Sequence, residues 1–420
     1  MDHRQAVIAW ARETLGSRMD EVLRAVRQDC EVIRAGEEPD HLRGVLRRRF
    51  GKIGSAEAGE TDVSVAEQDF GYGTGEPDST QQRDELGRMF TFAGAALEKL
   101  LGSPSPDLTK EEIVGLECCL VVYGRPAFFV SEGRLAMVSS VWSRLEDERE
   151  SIELAQRGVG RIELLGHPEY TWCGSGFLVG ETTLMTTRRI AQMFAERRDD
   201  GRWEFRPGVT AWMDNRSHAL HPISAGCRVE GILGVDEHYD LALLRVERPP
   251  QTARAPIPLT VAAHAPQHLE GRSVYMIGYP VRDSRQSEPS VVARLFRDIY
   301  DVKRVHPGRI LEEFQFGDVH LFRHDCGMLG NTGGACILDM ETHEVLGLQV
   351  ANRYLDKGTA IPLWRLHDCA WMRNNGVAFA EVSPAELESL RGEVEQIART
   401  PYWAKLRTVV KDILQQALRE

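Results

Sequence analysis

Residues 323–335 read Arg323-His324-Asp325-Cys326-Gly327-Met328-Leu329-Gly330-Asn331-Thr332-Gly333-Gly334-Ala335, a small hydroxyl residue set among glycines. Glycine lets the backbone turn sharply and present adjacent N–H groups to a developing oxyanion, which acyl transfer requires. The same composition also suits a tight turn between two strands, so the loop alone does not choose between chemistry and architecture. The residues upstream of it supply the context.

Trp172-Cys173-Gly174-Ser175-Gly176-Phe177-Leu178-Val179-Gly180 leads through Glu181 and Thr182 into Thr183-Leu184-Met185-Thr186-Thr187-Arg188-Arg189-Ile190-Ala191. Further on comes Asp236-Glu237-His238-Tyr239-Asp240-Leu241-Ala242-Leu243-Leu244-Arg245-Val246. In this order the three segments resemble the His, Asp and Ser segments of trypsin-like serine peptidases, over roughly residues 158–370. The resemblance implies an all-β core of two six-stranded β-barrels. Many short apolar runs separated by Gly, Pro and Asp turns agree with barrels rather than βαβ units. The Pro-rich stretch from Pro249 to Pro266 reads as the crossover, and Gly271–Pro280 opens the second barrel.

The resemblance places Asp240 on the triad Asp, Arg189 on the His and Thr332 on the Ser, with Gly330 and Thr332 at the oxyanion positions. A guanidinium stays protonated at physiological pH, so Arg189 cannot take a proton from a hydroxyl and return it to a leaving amine. Thr332 adds a methyl and stiffens χ1 where a primary alcohol is needed, and its loop is one glycine shorter than the related loops. The chain therefore reads as a pseudopeptidase that binds a protein or peptide. Val345-Leu346-Gly347-Leu348-Gln349-Val350 resembles the strand lining the substrate cleft, so Cys326, Gly347, Gln349 and Ala351 are the candidate binding residues. A partner is expected as an added strand along Gly347 to Asn352. Asp240 is expected to be largely buried and paired with Arg189 through two parallel hydrogen bonds.

Two enzymatic alternatives stay open at this level. Slow serine- or threonine-type hydrolysis could use Thr332 with His238 or His324 as base. Chemistry could also move to Cys326 or Cys336, for which the sequence offers no activating base. The triplet His-Asp-Cys occurs at 324–326 and 367–369, but no second ligand pair stands at zinc-like spacing, so no metal or cofactor is expected.

With 420 residues, 42% of them hydrophobic, the chain can bury more than one core. A net charge of −12 argues against nucleic acid or an anionic membrane as the main partner. No apolar run approaches the roughly 20 residues that span a bilayer, and eight scattered cysteines suggest reduced thiols in the cytoplasm.

Residues 1–155 read as a mainly helical adaptor region, interrupted at 51–80 by a Gly- and acid-rich linker or loop. Two helices are expected over residues 3–50, one across Asp84 to Leu101 until Pro104 and Pro106, and another from Trp142 to Arg157. Thr109 with Glu112 forms a capping box, and Gly124–Val130 reads as a strand or packing arm. This region loosely resembles the adaptor segments of bacterial intracellular peptidases tied to conflict or defence systems. The trypsin-like core is assigned to 156–375, and helices to 383–420, where Trp403, Leu406, Val410, Ile413 and Leu414 share one face. Assembly through the N-terminal helices or this last helix is a further expectation.

Overall fold

The computed structural model describes residues 3–37, 39, 79–131, 133–136, 140–215, 226–248, 255–280, 302–327, 332–351 and 357–380. The expected linker up to residue 78, the loop position Gly330 and the C-terminal helices at 383–420 lie outside the described residues.

Helices α1 (His3–Leu15), α2 (Met19–Arg34), α3 (Ser79–Gly102) and α4 (Lys110–Cys119) share one apolar core. Val7, Ala11 and Leu15, Val22 and Val26, then Phe90, Ala93 and Leu97 recur at three- and four-residue spacing and are buried in it. Thr109 accepts the Glu112 N–H while Glu112 reaches back to the Thr109 N–H, so the expected capping box starts α4. Gly115 makes the α3–α4 crossing possible, because a Cβ there would stand 2.5 Å from the Ala93 nitrogen. A π-helical turn, Leu120–Gly124, follows α4 and releases the chain toward the barrels.

The expected packing arm is a strand, β1 (Phe128–Ser131), whose Phe128 and Phe129 pair with the second barrel. β2 (Arg134–Leu135) pairs with β1. The helix expected over Trp142–Arg157 is two, α5 (Ser143–Asp147) and α6 (Arg149–Ala155), parted at Glu148.

The first barrel comprises β3 (Val159–Leu165), β4 (Trp172–Leu178), β5 (Thr183–Thr186), β8 (Thr210–Asp214), β9 (Cys227–Asp236) and β10 (Leu241–Val246). It closes in the order β10-β5-β4-β3-β8-β9. Between β5 and β8 run α7 (Arg188–Phe194) and the hairpin β6 (Ala195–Arg197) with β7 (Trp203–Phe205). The second barrel comprises β11 (Ser273–Gly278), β12 (Arg304–Phe316), β13 (Val319–His324), β14 (Cys336–Asp339), β15 (Val345–Ala351) and β16 (Gly358–Pro362). Its order is β11-β14-β15-β16-β13-β12, and the β11–β12 pairing closes it. Full closure leaves no unpaired edge among these strands, which is why a chain of short strands is stable in this form.

Polar contacts fix the barrels against each other and against the front segment. Ser175 donates its N–H to the Gly333 carbonyl, and its Oγ accepts the Tyr279 N–H. The Lys303 ammonium, fully buried, donates to the Gln156 carbonyl at 2.7 Å, the Gln156 Oε1 at 3.0 Å and the Asn215 carbonyl at 2.6 Å. Burial lowers its pKa to about 7, and the nearby Asp214 carboxylate opposes that shift. All eight cysteines are unpaired. Among the described residues no helix is long and apolar enough to cross a membrane.

Candidate functional site

β5 ends at Thr186, and Thr187 caps α7 by accepting the Ile190 N–H, which sets the Arg189 N–H at the open start of the helix. Asp240 arrives from the β9–β10 turn. That turn is fixed by Asp236, whose Oδ1 accepts the N–H groups of His238 and Tyr239, both at 2.8 Å. Asp240 Oδ1 then accepts the Arg189 backbone N–H at 3.1 Å, and Oδ2 accepts Arg189 Nε–H at 2.7 Å. Nη2 of the same guanidinium donates to the Val350 carbonyl on β15. Arg189 thus ties the first barrel to the second.

The ion pair is present, but its form differs from the expectation. The Arg189 side chain is 62% exposed and that of Asp240 17%. Only one of the two bonds to the carboxylate comes from the fork. The helix start supplies the other, because the capped turn already aims a backbone N–H at Asp240. Arg188, beside it, donates to the Glu237 carbonyl at 2.8 Å. His238 is exposed and set against Tyr239, with no bond to Asp240 among the described residues.

Thr332 sits at the start of a turn closed by the Ala335 N–H on the Thr332 carbonyl. Gly334 takes φ +80°, and a Cβ there would meet the Ser175 carbonyl oxygen at 2.0 Å, so the turn needs glycine to seat against the first barrel. Thr332 is fully buried, and its hydroxyl donates to the Met276 sulfur at 3.4 Å, inside the second barrel. The hydroxyl at the position matched to the family's nucleophile is therefore turned inward.

Three of the four expected binding residues are buried as well. Cys326 is buried, and burial followed by the neighbouring Asp325 raises its thiol pKa well above the ordinary range. Cys336 is raised to about 12 by burial. Neither thiol is set up as a thiolate. Gly347 lies under the Phe322 ring, which a Cβ would approach to 2.5 Å. Gln349 is fully buried and bonded on both sides: its Oε1 meets His324 Nε2 at 2.5 Å, and its Nε2 donates to the Ala351 carbonyl at 2.8 Å. Ala351 alone of the four is exposed. The Gln349, Val350 and Ala351 carbonyls accept from Gly334, Arg189 and the Gln349 side chain respectively, so an added strand here competes with bonds already made.

His324 Nδ1 accepts the Cys326 N–H, which leaves Nε2 as the protonated nitrogen facing Gln349. Burial lowers its pKa to about 4, and the Gln349 bond opposes the shift. His306 is also fully buried, has no hydrogen-bond partner on either ring nitrogen among the described residues, and is lowered to about 3 by burial, then by Arg304 and His324. Both rings are neutral and enclosed, and neither is bonded to Thr332. Among the described residues no group of three or more His, Cys, Asp or Glu is placed to hold a metal ion.

Sequence reasoning did not find Val350 or Met276 as partners of Arg189 and Thr332. It also missed Arg125, buried behind the π turn, whose Nη2 bonds Asp325 Oδ2 while the Arg309 N–H bonds Oδ1. The adjacent pair Arg188-Arg189 was the one signal available for a cationic site.

Two closed antiparallel six-stranded barrels, joined where these loops meet, define the trypsin-like peptidase fold. Residues 174–348 match the trypsin-like peptidase domain, which supports that family for this part of the chain. The active form of the Rv3671c protease from M. tuberculosis aligns at 16% identity over 55% of this chain and 85% of that one, with a TM-score of 0.34. The serine endoprotease from Yersinia pestis aligns at 16% identity over 54% and 67%, with a TM-score of 0.35. No curated protein matches the chain in sequence.

Proposed function

We propose that this chain is a catalytically inactive trypsin-like peptidase homologue that serves as a protein-binding or regulatory subunit. The inward-facing Thr332 hydroxyl carries the reading. Attack on a carbonyl needs a hydroxyl at the surface beside a base, whereas this one lies against Met276 in a barrel core. Arg189, whose side chain offers donors and no acceptor, holds the place beside Asp240 where the family's base would stand.

The purified protein is expected to show no cleavage of casein or of a mixed peptide library, and no labelling by a fluorophosphonate. The double variant Arg189→His with Thr332→Ser is expected to stay inactive too, because the new hydroxyl would still face inward. Cleavage by the parent protein that disappears in Thr332→Ala would overturn the reading.

A further inference from the structure

We propose that Arg189 is a recognition point for a carboxylate carried by the polypeptide partner. This deepens the binding reading above and rests on it. A guanidinium carries five N–H donors in a rigid planar fork. Nε is committed to Asp240 and one hydrogen of Nη2 to the Val350 carbonyl. Nη1 and the second hydrogen of Nη2 have no partner among the described residues, and the side chain is 62% exposed.

An arginine anchored through two of its donors and open at the others is pre-organised for a second anion. The usual loss of rotamer freedom on binding has largely been met by Asp240 and Val350, so a carboxylate engaging the free donors gains two parallel charge-assisted bonds. The anchors also fix where that carboxylate must lie, at the junction of the barrels and near exposed Ala351. The chemistry favours a carboxylate over a phosphate dianion. Asp240 already sits on this guanidinium and offsets much of its charge, which leaves less to balance a second negative charge on the ligand. The chain as a whole carries a net charge of −12, so attraction to an acidic segment must come from this local contact rather than from the long-range field.

The carboxylate can belong to a Glu or Asp side chain or to a chain terminus, and the test separates these. Full-length protein is passed over immobilised nonapeptide pools whose central residue is Glu, Gln or Lys with the other positions randomised. A further pool of Gln-centred peptides is presented with either a free or an amidated C-terminus. Retention on the Glu pool is expected to exceed the Gln pool by about tenfold and the Lys pool by more, as one exposed bidentate contact warrants. If the terminus is the source, the free-acid pool exceeds the amide by the same factor instead. Arg189→Gln should remove the preference, Arg189→Lys should keep part of it, and raising NaCl from about 50 to 500 mM should shrink it. Equal retention of the Glu and Gln pools together with equal retention of the free-acid and amidated pools, or a preference that survives Arg189→Gln, overturns the carboxylate site while leaving peptide binding intact. No retention of any pool overturns the carboxylate site and the peptide-binding reading together.

Discussion

Two arginine–aspartate pairs in this molecule share a design and differ in where they sit. In each, the carboxylate takes one bond from a guanidinium and one from a backbone N–H: Asp240 from Arg189 itself, Asp325 from Arg309. Arg189 and Asp240 are 62% and 17% exposed, whereas Arg125 and Asp325 are 5% and 13% exposed. Water can replace the first pair's contacts but has little access to the second. The buried pair therefore holds structure, joining the helical front segment to the loop that runs into Cys326 and Gly327. The exposed pair holds a site ready. Identical chemistry yields two roles because desolvation sets the cost of losing a partner.

The largest effect should come from the buried pair. Arg125→Ala leaves the enclosed Asp325 side chain short of one partner, and is expected to cost about 3 to 5 kcal/mol, read by urea or thermal unfolding. A loss under about 1 kcal/mol would show that water reaches Asp325 after all and would erase the distinction between the pairs.

The enclosed histidines supply the next effect. His306 and His324 titrate at about 3 and 4 in the folded chain, against 6.5 when exposed. Between those values the unfolded chain binds more protons, so stability is complete above about pH 6.5 and is lost as pH falls. At pH 5 each ring should cost about 2 kcal/mol relative to pH 7.5. Unfolding midpoints measured across this range should fall accordingly, and His306→Phe should remove about half of the slope. A flat profile would mean that the rings are solvated.

The barrels were legible in the sequence because short apolar runs punctuated by Gly and Asp leave few alternatives, and because three loop segments arrive in the family's order. The front helices were legible from spacing and from the Thr109–Glu112 cap. The Arg189–Asp240 contact could be anticipated from residue type at matched positions. Directions of side chains could not. Thr332 turns inward onto Met276, a residue 56 positions earlier on β11, and nothing in the loop's own composition encodes that contact. Gln349 was expected to face the partner, yet its hydrogen bonds run to His324 and Ala351, each set by strand pairing. Arg125 and Asp325 stand 200 positions apart and match no local motif.

The smallest effect, and the one that most sharpens the contrast, is a double-mutant cycle on the exposed pair. Removing the Arg189 side chain leaves Asp240 with the backbone N–H it already accepts and with solvent on its open side, so no buried charge is stranded. Asp240→Ala likewise leaves an exposed guanidinium that water can satisfy. Each single change is expected to cost about 1 kcal/mol or less, with a coupling of about 0.2 to 1 kcal/mol that shrinks in high salt. The Val350 carbonyl gives a separate check. Arg189→Ala frees it, so the Val350–Ala351 end of β15 should exchange its amide hydrogens faster while the barrel cores stay protected. A coupling of 3 kcal/mol or more would mean that the pair is sealed from water, and Arg189 would then be a clasp like Arg125 instead of a fork held open for a ligand.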